Sequence, residues 1–409
     1  MRNLTALLLS ALDASRSYAQ RIKAIPGLIG YWPMEDTGAT FADQSGNNFT
    51  GTFSGTISAK NQPWAGGRYA TFAQGFGSVY SAGFLSAFNP NEFTLNMFVR
   101  PTTAWTTAAN QYLAHFYVDA SNFFRVILAS AGYISAGWYG GGTPSIVNLG
   151  CTVWPVTDFQ MITVTASKSA NSLRLMINGE DNAFMRYAMA GTWAGAVASN
   201  LCGFGGYRGT THTLGLYGDL SNVALFNQAL SEADVRKLLI RPLPVLSVLG
   251  DSISQYVSSR NWVQGVAQTR GWRVVNHGYS GSSIMGASHG QTAQASEAAN
   301  DGASYIILQH GVNDANDANI TTTYASNIAA LKVSNPAATI YGMGILPNTS
   351  ATAGYRDTNN ARIAAACAAQ SVTYWNTDGW IVPATDTSDG LHPNETGAAK
   401  IMTEILTRL

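Results

Sequence analysis

Charge is what this sequence has least of. Only 11% of its 409 residues are Asp, Glu, Lys or Arg, against ~25% in ordinary soluble domains. The two signs balance at 23 each. Without a basic surplus or a basic run there is little to neutralise phosphates, so nucleic-acid binding has no footing. Cysteine is nearly absent. Cys151, Cys202 and Cys367 are odd in number and lack C-x-x-C spacing, which argues against a disulfide framework and a zinc site. Three free thiols are expected, with a Cys151–Cys202 bridge as the alternative. No apolar run approaches ~18 residues, so no membrane-spanning helix is expected.

In place of charge the chain has 46% apolar residues, 41 glycines, and many Ser, Thr and Asn. That balance suits many turns and strands under a surface solvated by hydroxyls and amides. The length is too great for one ordinary core, so two or more domains are expected.

Residues 1–27 open with "MRNLTALLLSALDASRSYAQRIKAI" before Pro26-Gly27. Leu4, Leu8, Ala11, Ser15, Tyr18, Ile22 and Ile25 recur at heptad spacing, broken only by Ser15. The reading is a helix for self-association or docking to a larger assembly. Packing on its own chain is one alternative. A signal peptide is another, with Arg2 ahead of Leu4–Leu12, but Asp13 ends the apolar stretch and no small-x-small site follows.

From 28 to 239 the texture is short Tyr/Phe/Val/Thr segments between Gly/Asn/Ser turns. "FTLNMFVRP" (93–101) alternates, with Phe98 the exception. "QMITVTAS" (160–167) and "SLRLMINGED" (172–181) form a further pair, the second ending in the turn Asn178-Gly179. This predicts an antiparallel β-sandwich. Only "SEADVRKLLI" (231–240) reads as a helix, with Ser231 as N-cap.

"GLIGYWPMED", "DQSGNNFTGT" (43–52), "FTLNMFVRP", "LRLMINGE" and "GDLSNVALFNQALSEADVRKLL" (218–239) together resemble the LamG, or concanavalin A-like, jelly roll. The resemblance implies carbohydrate binding, with calcium or protein partners in some members. Asp43, Asn47 and Asp219 are loop candidates for ligand contact. Trp105, Trp138, Tyr139, Trp154 and Trp193 are candidates for sugar stacking, against the alternative that they fill the core.

A proline-marked linker, 240–244, precedes a different pattern at 245–409. Strands read at 245–249, 273–276, 304–309, 339–344 and 372–375. Helices read near 261–270, 321–334, 357–369 and 395–408. Such alternation predicts a three-layer α/β domain with a parallel sheet, its ligands at the carboxyl ends of the strands. Four stretches fall at that edge: "GDS" (250–252), "HGYSGSS" (277–283), "HGVND" (310–314) and "DGLHPN" (389–394). A serine needs a base to become a nucleophile, and an imidazole needs a carboxylate to orient it. Ser252, His392 and Asp389 supply these groups. The backbone N–H groups of Ser252 and Gly281 and the Asn313 amide are the candidate donors to an oxyanion.

These four blocks resemble the SGNH, or GDSL-type, hydrolases. By position the resemblance makes Ser252 the nucleophile, Asp389 and His392 the rest of the triad, and Ser252, Gly281 and Asn313 the oxyanion donors. It implies ester cleavage with no cofactor and no metal. "GASHG" (286–290) also fits G-x-S-x-G, which offers Ser288 as a rival nucleophile where a strand precedes it and a helix follows. A metal site from His277, His310 and His392, and Asp314 as rival orienter of His392, are further alternatives. Asp251 reads as a structural hydrogen-bonding group in the turn.

The expectation is a carbohydrate esterase that removes acyl groups, most simply acetyl, from a surface polysaccharide recognised by the sandwich. The leading helix and low charge are similar to phage tail or receptor-binding proteins, which implies a virion or extracellular location. The alternatives are a secreted bacterial esterase with a binding module and an inactive structural adhesin.

Overall fold

A computed structural model describes residues 17–409 except 65, 102–109, 131–132, 151–158, 180–185, 198–201, 207–213, 241–242, 256–260 and 351–352. The chain divides into two compact units, which meet in sequence at Pro242 and Leu243.

The first unit is an antiparallel sandwich of two eight-stranded sheets. In one sheet the long strands Glu92–Pro101, Gln160–Ser167 and Tyr217–Phe226 hold the centre. In the other, Gln111–Asp119, Asn122–Ala129, Tyr133–Gly140 and Thr143–Gly150 follow one another as a meander. Strand alternation sends Phe93, Leu95, Met97 and Val99 to one fully buried face. The opposite face is buried as well. Phe98 lies against Tyr18 and Trp64, with ring centroids 6.0 and 5.6 Å away. Its departure from alternation is therefore apolar cover on the second face. Asn178 and Gly179 both take positive φ, +54° and +79°, the left-handed backbone that asparagine and glycine accommodate best.

Tyr18–Lys23 is a short helix, started by a capping box between Ser17 and Gln20. Its Ile22, and Ile25 beyond it, are buried, and the Tyr18 hydroxyl donates to the Leu238 carbonyl at 2.9 Å. These seam positions pack on the protein's own sandwich. Leu4, Leu8, Ala11 and Ser15 lie outside the described residues.

Several expectations for the sandwich are corrected. Asp219 is in a strand, not a loop. It is buried, bound to Arg100 at 2.7 Å and to the Thr71 hydroxyl at 2.6 Å. Asp43 does lie in a loop but faces inward, accepting from the N–H groups of Tyr31, Ser45 and Phe49 and from the Ser45 hydroxyl. Asn47 does lie exposed in the same loop, with its amide donating to the Ile29 carbonyl. Trp138 and Trp193 are buried, while Tyr139 is part-exposed and stacks on Phe123 at 4.0 Å. Trp105 and Trp154 lie outside the described residues. A second helix, Ala82–Ala87, joins the expected one at Glu232–Lys237. At six residues it is too short to show a period, and Ser81 caps it over the buried Phe84. Cys202 and Cys367 are buried free thiols; Cys151 is outside the described residues.

The second unit is built on five parallel strands: β1 (Val245–Gly250), β2 (Arg273–Asn276), β3 (Tyr305–Gln309), β4 (Thr339–Met343) and β5 (Thr373–Trp375). Their order is β2-β1-β3-β4-β5, so the order reverses beside β1. All of β1 is buried, as its continuous apolar run implies for a central parallel strand. Its helices are α1 (Ser252–Gln255), α2 (Trp262–Arg270), α3 (Gln291–Glu297), α4 (Ile320–Ser334), α5 (Arg356–Ala369), α6 (Pro383–Asp386) and α7 (Glu395–Leu406). Leu246, Val248, Ile306 and Leu308 from the strands, with Ile328, Ile363 and Ile401 from the helices, share one core. Ligands of such sheets bind beyond the strand ends where the order reverses. Here that is the end of β1.

Candidate active site

The site starts where β1 stops. Gly250 closes the strand, and a Cβ there would come within 2.4 Å of the Ser254 hydroxyl. Asp251 follows, fully buried. Its Oδ1 accepts from the Ile253 N–H at 2.9 Å, and its carbonyl accepts from Ser254 and Gln255. This turns the chain straight into α1, with Ser252 as its first residue. Burial pushes the Asp251 carboxyl up to about 7, against the hydrogen bonds from Ile253 and Gln309. The residue is structural, as its place in the turn implies.

A loop from 277 to 285 is tied alongside. His277 and Tyr279 donate their N–H groups to Val248 and Gly250, and Ser280 donates to the Gln255 side chain. The Ser282 N–H closes a turn on the Tyr279 carbonyl, with Gly281 third in that turn at φ +78°. Glycine is required there by conformation. Nothing among the described residues lies within 4 Å of the position its Cβ would take. The Ser252 and Gly281 N–H groups have no protein acceptor among the described residues.

The end of β3 locks onto the same loop. The Asn313 amide donates to the Ser282 carbonyl at 2.9 Å, leaving its second N–H free to donate. Asp314 accepts the N–H groups of Ile284 and Met285 at 2.8 and 3.0 Å. It therefore anchors the loop and does not orient His392, which corrects the rival reading. His310 is buried, with Nε2 3.0 Å from the Ser282 hydroxyl, and burial lowers it to about 3.

Ahead of α7, Asp389 accepts the N–H groups of Leu391 and His392 on Oδ1, at 3.0 and 2.7 Å. Its Oδ2 meets His392 Nδ1 at 2.6 Å. These bonds, the imidazole's first, hold its carboxyl down at about 2. On the far side of the ring, His392 Nε2 lies 2.9 Å from Ser252 Oγ. The carboxylate fixes the tautomer with Nδ1 protonated, so Nε2 is left to accept from the serine. A hydroxyl in this setting can become a nucleophile. A cavity of about 10 Å³, lined by Ser252, Ile253, Asn261, Trp262, His392, Pro393 and Ala398, opens beside it.

The other sequence candidates lie elsewhere. Ser288 sits in an exposed bend with no strand before it, so it lacks the strand-to-helix turn that would present a nucleophile. His277 is held by Asp301 at 2.8 Å and Glu297 at 3.3 Å. His277, His310 and His392 thus serve three separate sets of partners. No group of His, Cys, Asp and Glu suited to a metal occurs among the described residues.

Gln294 is the residue sequence reasoning missed. Buried in α3, it accepts from the Gly250 N–H and donates to the carbonyls of Gly250 and His289 and to the Ser282 hydroxyl. It clamps the strand end to the loop. A glutamine in the weakly helical "QTAQASEA" carries no periodic signal that would reveal this.

Residues 248–400 match the GDSL-like Lipase/Acylhydrolase family, and residues 73–236 match the Concanavalin A-like lectin/glucanases superfamily. Among solved structures the chain is similar to Trypanosoma rangeli sialidase in complex with sialic acid, at 13% identity and a TM-score of 0.37. That match covers 57% of this chain and only 38% of the sialidase. It is also similar to domain 4 of an extracellular arabinanase from Geobacillus stearothermophilus in complex with arabinotriose. The identity there is 15%, the TM-score 0.39, and the coverage 52% of this chain and 97% of that domain. No curated protein matches the chain significantly. The sequence thus joins a stretch that matches the concanavalin A-like lectins and glucanases to one that matches the GDSL-like acylhydrolases.

Proposed function

We propose that this protein is a serine ester hydrolase that removes acyl groups, most simply acetyl, from a surface polysaccharide. The observation that carries the reading is the line Ser252–His392–Asp389, with contacts of 2.9 and 2.6 Å. Ser252 Oγ attacks the ester carbonyl and gives its proton to His392 Nε2. The resulting oxyanion takes hydrogen bonds from the N–H groups of Ser252 and Gly281 and from the Asn313 amide. The tetrahedral centre collapses, the sugar hydroxyl leaves with the proton from Nε2, and an acyl-serine remains. Water, activated by the same imidazole, then releases the acid and restores the hydroxyl. The small cavity beside Ser252, about 10 Å³, supports a short acyl group, since it has room for little more than one small group.

The sandwich acts as the recognition module, a role supported by the match of residues 73–236 to the lectin and glucanase superfamily. A virion-surface or extracellular setting, such as a phage tail component, fits a low-charge chain that pairs recognition with deacylation. The test is hydrolysis of p-nitrophenyl acetate and acetate release from O-acetylated polysaccharide. Both are expected from the wild type and not from Ser252→Ala. Equal rates in the two proteins would overturn the reading. Electron microscopy with antibody labelling tests the location.

A further inference from the structure

The loop that carries Gly281 also carries Tyr279, which the triad chemistry does not use. Tyr279 is 45% exposed. Its ring stacks on His289, with centroids 4.0 Å apart and planes within 13°. His289 is exposed too, and its backbone takes φ +53°, uncommon outside glycine. The conformation is locked, because the His289 carbonyl accepts from the Ser282 hydroxyl at 2.7 Å and from Gln294 at 2.9 Å. Both groups belong to the lattice that sets Gly281. Tyr279 is tied to the end of β1: its N–H donates at 3.1 Å to the Gly250 carbonyl, two residues before Ser252.

Each ring covers one face of the other, so the exposure falls on the opposite faces and edges. Those surfaces are flat, apolar in the middle and polar at the rim, where the phenol hydroxyl and the imidazole nitrogens lie. Exposed neighbours Ser280 and Ser288 add hydroxyls. A sugar ring has the matching shape, with an apolar C–H face framed by hydroxyls. An acyl chain of a lipid would need a continuous apolar groove instead.

We infer that Tyr279 and His289 form a stacking platform for the sugar ring that bears the ester. This inference rests on the esterase reading and names the side chains that hold the acylated sugar. Binding energy from the ring then positions the ester carbonyl over Ser252.

The experiment compares wild type with Tyr279→Ala, Tyr279→Phe and His289→Asn. Substrates are p-nitrophenyl acetate and a panel of O-acetylated xylo- and manno-oligosaccharides, and thermal melts check folding. The readout is kcat/KM for the best-cleaved oligosaccharide divided by kcat/KM for p-nitrophenyl acetate. Tyr279→Ala is expected to lower this ratio about tenfold, through KM. Tyr279→Phe, which keeps the ring, stays within about twofold. His289→Asn, which tolerates the positive φ, gives a smaller fall than Tyr279→Ala. An unchanged ratio in Tyr279→Ala, or a loss in Tyr279→Phe as large as in Tyr279→Ala, would overturn the platform. So would a wild type that cleaves p-nitrophenyl acetate but no oligosaccharide of the panel. A wild type inactive on every substrate would instead remove the esterase reading on which the platform rests.

Discussion

Ser252 Oγ and His392 Nε2 lie 2.9 Å apart although 140 positions separate them in the chain. The contact joins the first turn after β1 to the segment that leads into α7. On the other side of the same ring the partner, Asp389, is only three residues away, at 2.6 Å. The imidazole is thus oriented by local chain and meets the serine through the sheet.

Asp389→Asn separates orientation from folding. The amide oxygen can still accept the N–H groups of Leu391 and His392, but the charge facing Nδ1 is gone. Turnover of p-nitrophenyl acetate is expected to fall by about 10²–10⁴-fold, with the melting temperature nearly unchanged. A fall of less than about tenfold would contradict the orienting role.

The proposed oxyanion donors are open to two substitutions. Asn313→Ala removes one donor and frees the Ser282 carbonyl, with an expected loss of about 10²–10³ in kcat. Gly281→Ala has space for its methyl, yet the backbone at φ +78° disfavours any side chain. The loop should shift and kcat should fall while the unit stays folded. Steady-state kinetics on p-nitrophenyl acetate check both, and a change confined to KM would count against the donors.

Stability should carry the mark of Asp251. Its carboxyl is raised from 3.8 to about 7 in the folded chain. Between those values the folded state keeps a proton that the unfolded state has released. Its contribution to stability therefore falls as pH rises from 3.8 to about 7, and is level above that. In Asp251→Asn this slope is gone. The drop in melting temperature between pH 4 and 7.5 should shrink by roughly 10 °C relative to wild type. His277 contributes in the same direction in both proteins. Burial disfavours its charge, but the Asp301 and Glu297 carboxylates outweigh burial and raise it. An identical pH dependence in wild type and variant would contradict the buried-acid reading.

Local chemistry made much of the second unit legible. β1 announced itself as a continuous apolar run, and five strands and four helices fall within a few residues of where hydrophobic pattern places them. Asp389 and His392 could be paired from a spacing of three, because a carboxylate can reach an imidazole within one turn of chain. Less was legible in the sandwich. Asp219 read as a loop residue because a lone charge between Gly218 and Leu220 carries no sign of a buried partner. That partner, Arg100, is 119 positions away in another strand. Phe98 looked like a lapse in alternation because nothing nearby in sequence says that Tyr18 and Trp64 cover that face.

Strand and helix types and the parallel sheet follow from patterns of period and spacing within a few residues, which sequence alone records, whereas the choice of Ser252, Asp389 and His392 rests on short blocks that resemble those of the GDSL-type hydrolases. Tertiary structure decided which polar groups were already spent. Asp314 and Asp43 bind backbone, Gln294 clamps Gly250 and the neighbouring loop, and Tyr279 stands open on His289. Hydrogen bonds and ring contacts between distant segments leave no period in the chain, because their partners are brought together only when the apolar core closes.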